Sequence, residues 1–266
     1  MSNKSILFFI PCNPYFPSGI VRVEQYLNFF AQDGFTYEIL NMIHPRSQTL
    51  LEILDQSYLG KHIATDFAFR AAIHLLFTPF KYWQVLRLLV KASSFDYVFI
   101  QANLIPSLAV DLLQRINPRI IFDFDDAVFL RKRERAIKII SKAWKIFAGS
   151  HFNLEFANQH NPHSVLIPSA IDLSNYASSI KLPDLSKKIV IGWIGGASTL
   201  KYLNHLVIPL QNLSQKGYEL TLLIAGTHGK DKLIPVFKNV ELKVVQEYNH
   251  AEIANLVEKI DIGVMP

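Results

Sequence analysis

Short, almost continuous apolar runs alternate along the chain with longer stretches whose apolar residues recur at helical spacing. The runs Ser5–Ile10, Thr36–Asn41, Asp96–Gln101, Arg119–Phe124, Lys145–Gly149 and Ser164–Ile167 read as strands. Runs without polar alternation mark strands buried on both faces. Helical periodicity appears near Ile20–Gln32, Leu104–Arg115, Arg133–Ala143 and His151–Gln159. Strand, helix and strand in this rhythm predict a parallel α/β sheet.

Ser169–Lys188 is polar and reads as a linker. A second unit follows, with strands Ile189–Ile194, Glu219–Ala225, Val240–Val244 and Asp261–Met265 and helices near Thr199–Lys216 and Ala251–Lys259. The expected organisation is two Rossmann-like, doubly wound α/β domains, residues 1–170 and 188–266, joined by 171–187. The second has fewer strands than a doubly wound unit usually holds. It is expected to be truncated, or to be covered by another surface. The apolar stretch Ala68–Phe95, punctuated by Arg70, Lys81, Arg87 and Lys91, reads either as core helix or as a face that meets a membrane or partner.

Composition narrows the class. Of 266 residues, 50% are apolar and 18% charged, which excludes a disordered chain. Mean hydropathy is +0.19. No uninterrupted run of about 18 apolar residues occurs, so no membrane-spanning helix is expected. The first apolar run reaches Pro11 without a small-residue cleavage site, so it reads as a strand and not a signal peptide. A lone cysteine, Cys12, excludes an internal disulfide framework and a cysteine-based zinc site, and fits a reducing, cytoplasmic setting. The net charge of +5 permits an acidic partner.

Four segments carry candidate chemistry. Gly192–Lys201, GWIGGASTLK, ends a buried strand in Gly195 and Gly196, and Ser198 and Thr199 then open a helix. Such a turn lets a phosphate approach free backbone N–H groups, with Lys201 in reach; it also serves as an ordinary capped turn. It fits neither GxGxxG nor GxxxxGKS/T. Asp123–Asp126, DFDD, ends the strand IIF, where parallel sheets bind ligands. Crowded carboxylates need a cation or a shared proton nearby. They suit a base, a sugar-hydroxyl acceptor, a metal ligand or a capping loop. Pro11–Arg22 places three prolines and Gly19 before a helix, with Arg22 just inside it. Arg131–Lys145 sets Arg131, Lys132, Arg133, Arg135, Lys138, Lys142 and Lys145 against Glu134, with Ala136, Ile137, Ile140 and Trp144 on one helical face. A basic amphipathic helix of this kind can lie on anionic lipid or pack on a core. No recognised nucleic-acid motif, HExxH pair or GxSxG elbow occurs, so no nucleic-acid partner and no histidine metal site are expected.

Together these blocks resemble a GT-B glycosyltransferase of the family 4 type, over nearly the whole chain. IIFDFDDAVF resembles a strand end of a bacterial subgroup. KIFAGSHFNLEFA and VLIPSAIDLSNY resemble the passage into the second domain, and IVIGWIGGASTLKYL, LTLLIAG and DIGVMP the start of the nucleotide-sugar domain. The resemblance implies sugar transfer from a nucleotide-diphosphate donor to a glycan or lipid-linked acceptor, in cell-surface polysaccharide synthesis. It implies retention of configuration, no cofactor and no bound metal. It places Asp125 and Asp126 near the reacting sugar, as catalytic candidates. Gly19, Gly195, Gly196 and Lys201 would face the donor phosphates, and Ser150 and Arg22 would lie on the cleft wall. Peripheral attachment to an anionic membrane through Arg131–Lys145 is expected. Two departures stand out: Trp193 replaces a frequent arginine, and the chain stops before the family's paired-glutamate motif. The 266-residue chain is therefore expected to transfer sugar poorly by itself. The rival expectation is a non-catalytic binding or scaffold subunit of the same fold, completed by a partner.

Overall fold

The computed structural model describes residues 4–11, 17–42, 67–176, 188–249 and 252–266. The chain divides into two compact units, Met1–Ile171 and Asp172–Pro266.

In the first unit, six parallel strands are β1 (Ser5–Ile10), β2 (Thr36–Asn41), β3 (Tyr97–Gln101), β4 (Ile120–Phe124), β5 (Lys145–Ala148) and β6 (Ser164–Leu166), in the order β2-β1-β3-β4-β5-β6. The connections are α1 (Pro17–Arg22), α2 (Leu27–Gln32), α3 (Phe67–Ala92), α4 (Ser107–Ile116), α5 (Arg133–Lys142) and α6 (His151–Asn158). Strand alternation divides the sheet's two faces. Leu7, Phe9, Val98, Ile100, Phe122 and Ile146 pack under α3, α4, α5 and α6, whose buried positions include Leu88, Leu113, Ile140 and Ala157. Ile6, Phe8, Ile10 and Phe99 face the other way and meet Val23, Leu27 and Phe30. Two buried asparagines close helix ends in this core. Asn117 Nδ2 donates to the carbonyls of Ala92 (3.0 Å) and Phe95 (2.8 Å), and Asn161 Nδ2 to those of Ile140 (2.7 Å) and Ala143 (2.8 Å). The chain leaves β1 toward β2 and resumes on β1's other side with β3. Ligands of doubly wound sheets bind at the carboxyl ends of strands flanking such a reversal.

The second unit holds four parallel strands, β7 (Ile189–Ile194), β8 (Leu220–Ala225), β9 (Glu241–Val245) and β10 (Ile262–Gly263), in the order β10-β7-β8-β9. Its helices are α7 (Val207–Gln215) and α8 (Ile253–Val257). The core joins Ile191, Trp193, Leu200, Leu203, Leu210, Leu222 and Ile224.

Three sequence expectations need correction. The helix expected over Ile20–Gln32 is broken after Arg22: Val23 takes φ −131° and ψ −61°, a short 3₁₀ turn (Glu24–Tyr26) follows, and α2 starts afresh. The helix expected over Thr199–Lys216 begins as a 3₁₀ segment, Ala197–Leu206, and becomes α-helical only at Val207. Pro209 explains the change, because a proline lacks an N–H and is tolerated only in a helix's first turn. Finally, α5 buries Ala136, Ile139 and Ile140, and Trp144 lies beyond its end, its ring tilted against Tyr97 (5.8 Å between centroids). The apolar side of the basic helix therefore belongs to the core. Among the described residues, no helix is long and apolar enough to cross a membrane.

Candidate functional site

The first unit gathers polar side chains at the carboxyl ends of its strands. Strand period two sends Phe122 and Phe124 into the helix-covered core and turns Asp123 to the opposite face. Asp123 is 1% exposed there. The break after α1 frees Arg22, 8% exposed, to meet it as a fork. Arg22 Nε donates to Asp123 Oδ2 at 3.1 Å, and Nη2 donates to Oδ1. Arg22 Nη1 donates to the carbonyl of Ile167, just beyond β6. Gln25 Nε2 adds a bond to the Ala170 carbonyl at 2.8 Å. One guanidinium thus ties α1, β4 and the segment after β6 together. Both residues of the pair line a cavity of about 260 Å³ whose remaining walls include Phe8, Phe30, Phe99, Phe147 and Pro168.

Burial pushes the Asp123 carboxyl up to about 6, against the opposing pull of Arg22's hydrogen bonds and charge. Burial also works against the Arg22 cation, but the hydrogen bonds and charge of Asp123 outweigh it and raise the guanidinium above its ordinary value. At neutral pH the pair is ionised.

Asp125 is half-buried and Asp126 exposed. The loop that carries them is held from beneath by backbone contacts. Asn153 Nδ2 donates to the Asp125 carbonyl at 2.7 Å, and Gly149 N donates to the Phe124 carbonyl at 2.9 Å. A Cβ at Gly149 would stand 2.7 Å from the Asp125 Cα, so only glycine lets β5 end this close to the acidic loop. Ser150 caps α6, its Oγ accepting from Asn153 N at 3.2 Å. Gly19 is buried, yet a Cβ there would meet nothing nearer than Ile10 Cδ1 at 3.8 Å. Among the described residues, neither packing nor a positive φ demands glycine at that position.

Sequence reasoning missed two residues here. Gln101 ends β3 opposite Asp123 in register and is fully buried. Its Oε1 and Nε2 find no hydrogen-bond partner among the described residues. Each buried unpaired polar group costs about 1–3 kcal/mol. The next residue, Ala102, takes φ 52° and donates its N–H to the Asp123 carbonyl at 2.7 Å. Asn153 is the second, buried with its Oδ1 unpartnered among the described residues. The available signal was a polar residue closing an apolar strand, YVFIQ, and an asparagine inside the first turn of a helix. Asp123 itself was visible as part of DFDD, but its partner lies 101 residues away.

The second unit shapes its strand ends with backbone. Gly195 N donates to the Ala225 carbonyl at 3.0 Å. A Cβ on Gly195 would fall 2.4 Å from the Trp193 ring, so the buried indole fills the room beneath that turn. Gly226, at φ 96°, would place a Cβ 1.9 Å from the Gly195 carbonyl oxygen. Tyr248 packs against the same glycine, and burial raises its hydroxyl's pKa. Gly196 is exposed, caps the 3₁₀ segment and has open space where a side chain would project. Lys201 is exposed one turn on, its Nζ 5.0 Å from the Tyr202 ring centroid. The structure thus groups Arg22, Gly19, Asp125, Asp126 and Ser150 in one unit, and Gly195, Gly196 and Lys201 in the other. Among the described residues, no three histidine, cysteine or acidic side chains are placed to hold a metal ion.

No protein-family model matches the chain, and no curated protein matches it. Solved structures do. Anabaena HepE, in complex with UDP and glucose, superposes with a TM-score of 0.58 at 14% identity, over 98% of this chain and 73% of that one. A glycosyltransferase from Rickettsia africae gives 0.58 at 16% identity, over 99% and 73%. The lipopolysaccharide outer core galactosyltransferase WaaB gives 0.56 at 14% identity, over 96% and 71%. At these identities the likeness establishes the fold: two parallel α/β units matching GT-B glycosyltransferases.

Proposed function

We propose that this chain is a glycosyltransferase that moves a sugar from a nucleotide-diphosphate donor to a glycan or lipid-linked acceptor. The observation that carries the reading is the fold likeness over nearly the whole chain, to structures that include HepE bound to UDP and glucose. The strand-end chemistry of both units is compatible with it.

In the proposed reaction, the bond between the sugar's anomeric carbon and the diphosphate oxygen breaks, and a bond to an acceptor hydroxyl oxygen forms. Charge develops on the departing phosphate. Lys201 and the N–H group at Gly196 would stabilise it, with Gly195 shaping the turn beneath and no metal required. The open space beside Gly196 leaves room for a phosphate to approach the backbone. In the first unit, Asp125 and Asp126 would bind acceptor or sugar hydroxyls close to the reacting sugar, and the departing phosphate oxygen would take up the acceptor's proton as the new bond forms on the same face. Gly19 and Ser150 would shape the surroundings. Arg22, held by Asp123, would act as a positioning residue that fixes α1 and the acidic loop. Retention of configuration, a role in cell-surface polysaccharide synthesis and a peripheral cytoplasmic location belong to the same proposal.

Titration of the chain with UDP and GDP, followed by its melting temperature, tests the reading. A ligand bound only to the folded state adds about 2.7 kcal/mol at a hundredfold excess over Kd. A saturable upward shift with one of the two, reduced in Lys201→Ala, is expected. No shift with either nucleotide contradicts the proposal.

A further inference from the structure

We infer that the chain associates with a second copy of itself, edge to edge, through β9 of the second unit. Among the described residues β9 is the outermost strand of its sheet, in the order β10-β7-β8-β9. A bare strand edge is a template for pairing with another chain. The neighbouring β8 is buried at all six positions, whereas β9 is exposed at Glu241, Leu242, Lys243 and Val244. Leu242 keeps 41% of its surface and Val244 39%.

The backbone direction of β9 is fixed by β8. Gly226 N donates to the Val245 carbonyl at 2.9 Å, so Val245 turns its polar backbone groups inward. Alternation along a strand turns those of Lys243 and Glu241 inward too, and those of Leu242 and Val244 outward. An antiparallel strand outside β9 therefore bonds to Leu242 and Val244. A two-fold axis beside Leu242 pairs it with Leu242 of the second copy. The same register sets Glu241 opposite Lys243 of the second copy, and Lys243 opposite Glu241 of the second copy. These are non-hydrogen-bonded positions, where facing side chains come closest. Val244 meets Val240 of the second copy, so the apolar face continues across the joint.

Other registers fail. Sliding one copy by two residues brings Lys243 opposite Lys243, or Glu241 opposite Glu241, and like charges facing each other are destabilising. A slip by one residue sets the apolar positions of one copy against the charged positions of the other. The β9 pattern is thus self-complementary, as an isologous interface requires. The other sheet edges lack this property. β6 has three residues and β10 two. β2, TYEILN, holds a single charged residue, Glu38, so no register on itself forms an opposite-charge pair. Among the described residues, Glu241 accepts from Lys188 and, at 3.1 Å, from Thr221 Oγ1 through Oε2 alone. Its Oε1 remains for Lys243 of the second copy. Association of this kind does not depend on sugar transfer.

Sedimentation equilibrium of the full chain over a concentration series is the test. The wild-type mass should rise from 30.4 kDa toward twice that value. Lys243→Glu makes both facing pairs acidic, and Glu241→Lys makes both basic. Each variant alone should dimerise at least about tenfold more weakly than wild type. Mixed one to one, the two variants restore both opposite-charge pairs, and the mixture should dimerise nearly as well as wild type. A variant that had merely misfolded would not be rescued by the other. An unchanged melting temperature of Lys243→Glu, at an exposed position, checks its fold separately. The inference is overturned if wild type keeps the mass of one chain throughout, if Lys243→Glu dimerises as well as wild type, or if the mixed variants stay monomeric.

Discussion

The two units end their strands by opposite means. The first uses side chains: a buried Arg22–Asp123 fork, a Gln101 buried without a partner among the described residues and an Asn153 that grips the acidic loop. The second uses their absence: Gly195 and Gly226 close on one another over Trp193, and Gly196 leaves open space beside Lys201. In the first unit, then, the groups that shape the site also hold the fold. In the second, the exposed Gly196 and Lys201 are separable from the fold, whereas Gly195 and Gly226 are not. Substitutions should expose that contrast.

The largest effect is expected from splitting the fork. Asp123→Ala leaves a guanidinium buried without its partner and should destabilise the protein by about 3–5 kcal/mol. Replacing both members, as Arg22→Met with Asp123→Leu, should be far milder. Urea unfolding measures both, and a single variant within 1 kcal/mol of wild type, roughly the value of an exposed ion pair, would break the comparison.

Next come the glycines of the second unit. Gly226→Ala forces a Cβ onto the Gly195 carbonyl from a left-handed backbone and should cost about 3 kcal/mol. Gly196→Ala meets open space and should stay within about 0.5 kcal/mol. Equal losses at the two positions would show that Gly196 is not free.

The third effect is a pH dependence confined to the first unit. The folded Asp123 carboxyl holds its proton up to about 6, while the unfolded one releases it near 3.8. Between those values the folded state binds more protons. The contribution is therefore fully present below the unfolded value and is lost as pH rises through about 6. Relative to Asp123→Asn, wild type should gain unfolding free energy as pH falls across that window. A flat difference would place the carboxylate in a wetter or better-paired setting.

The smallest change in stability is expected at Lys201. Lys201→Ala should leave the urea midpoint nearly unmoved, within about 0.5 kcal/mol, yet weaken UDP binding about tenfold, the loss of one charge-assisted hydrogen bond. Calorimetric titration reads the second number.

The sequence made the strands legible because buried parallel strands are apolar at successive positions. Ser5–Ile10, Thr36–Asn41 and Ile189–Ile194 coincide with β1, β2 and β7. Helix interiors were harder. Periodicity did not register Val23, whose backbone departs from helical geometry, or Pro209, whose missing N–H delays α7. It also drew Trp144 onto a helix that stops before it. The acidic triplet was legible as a place where charge needs compensation. Which acid receives it was not, because strand alternation and a tertiary contact decide that Asp123 turns toward Arg22. Gln101 and Asn153 carry no pattern of their own, and their significance rests on burial without partners. The stretch Ala68–Phe95 was visible only as apolar, since sequence does not say which side of a helix the core takes; in α3 it takes Val85, Leu88 and Ala92.

Amide hydrogen exchange of the chain with and without saturating UDP tests the central claim most directly, because it reads the two sets of strand ends separately. If the second unit binds the donor phosphates through its backbone, exchange should slow across Gly195–Lys201, while the amides around Asp123 stay as they were. Unchanged exchange at Gly195–Lys201 under saturating UDP, or protection centred on Asp123, would contradict it.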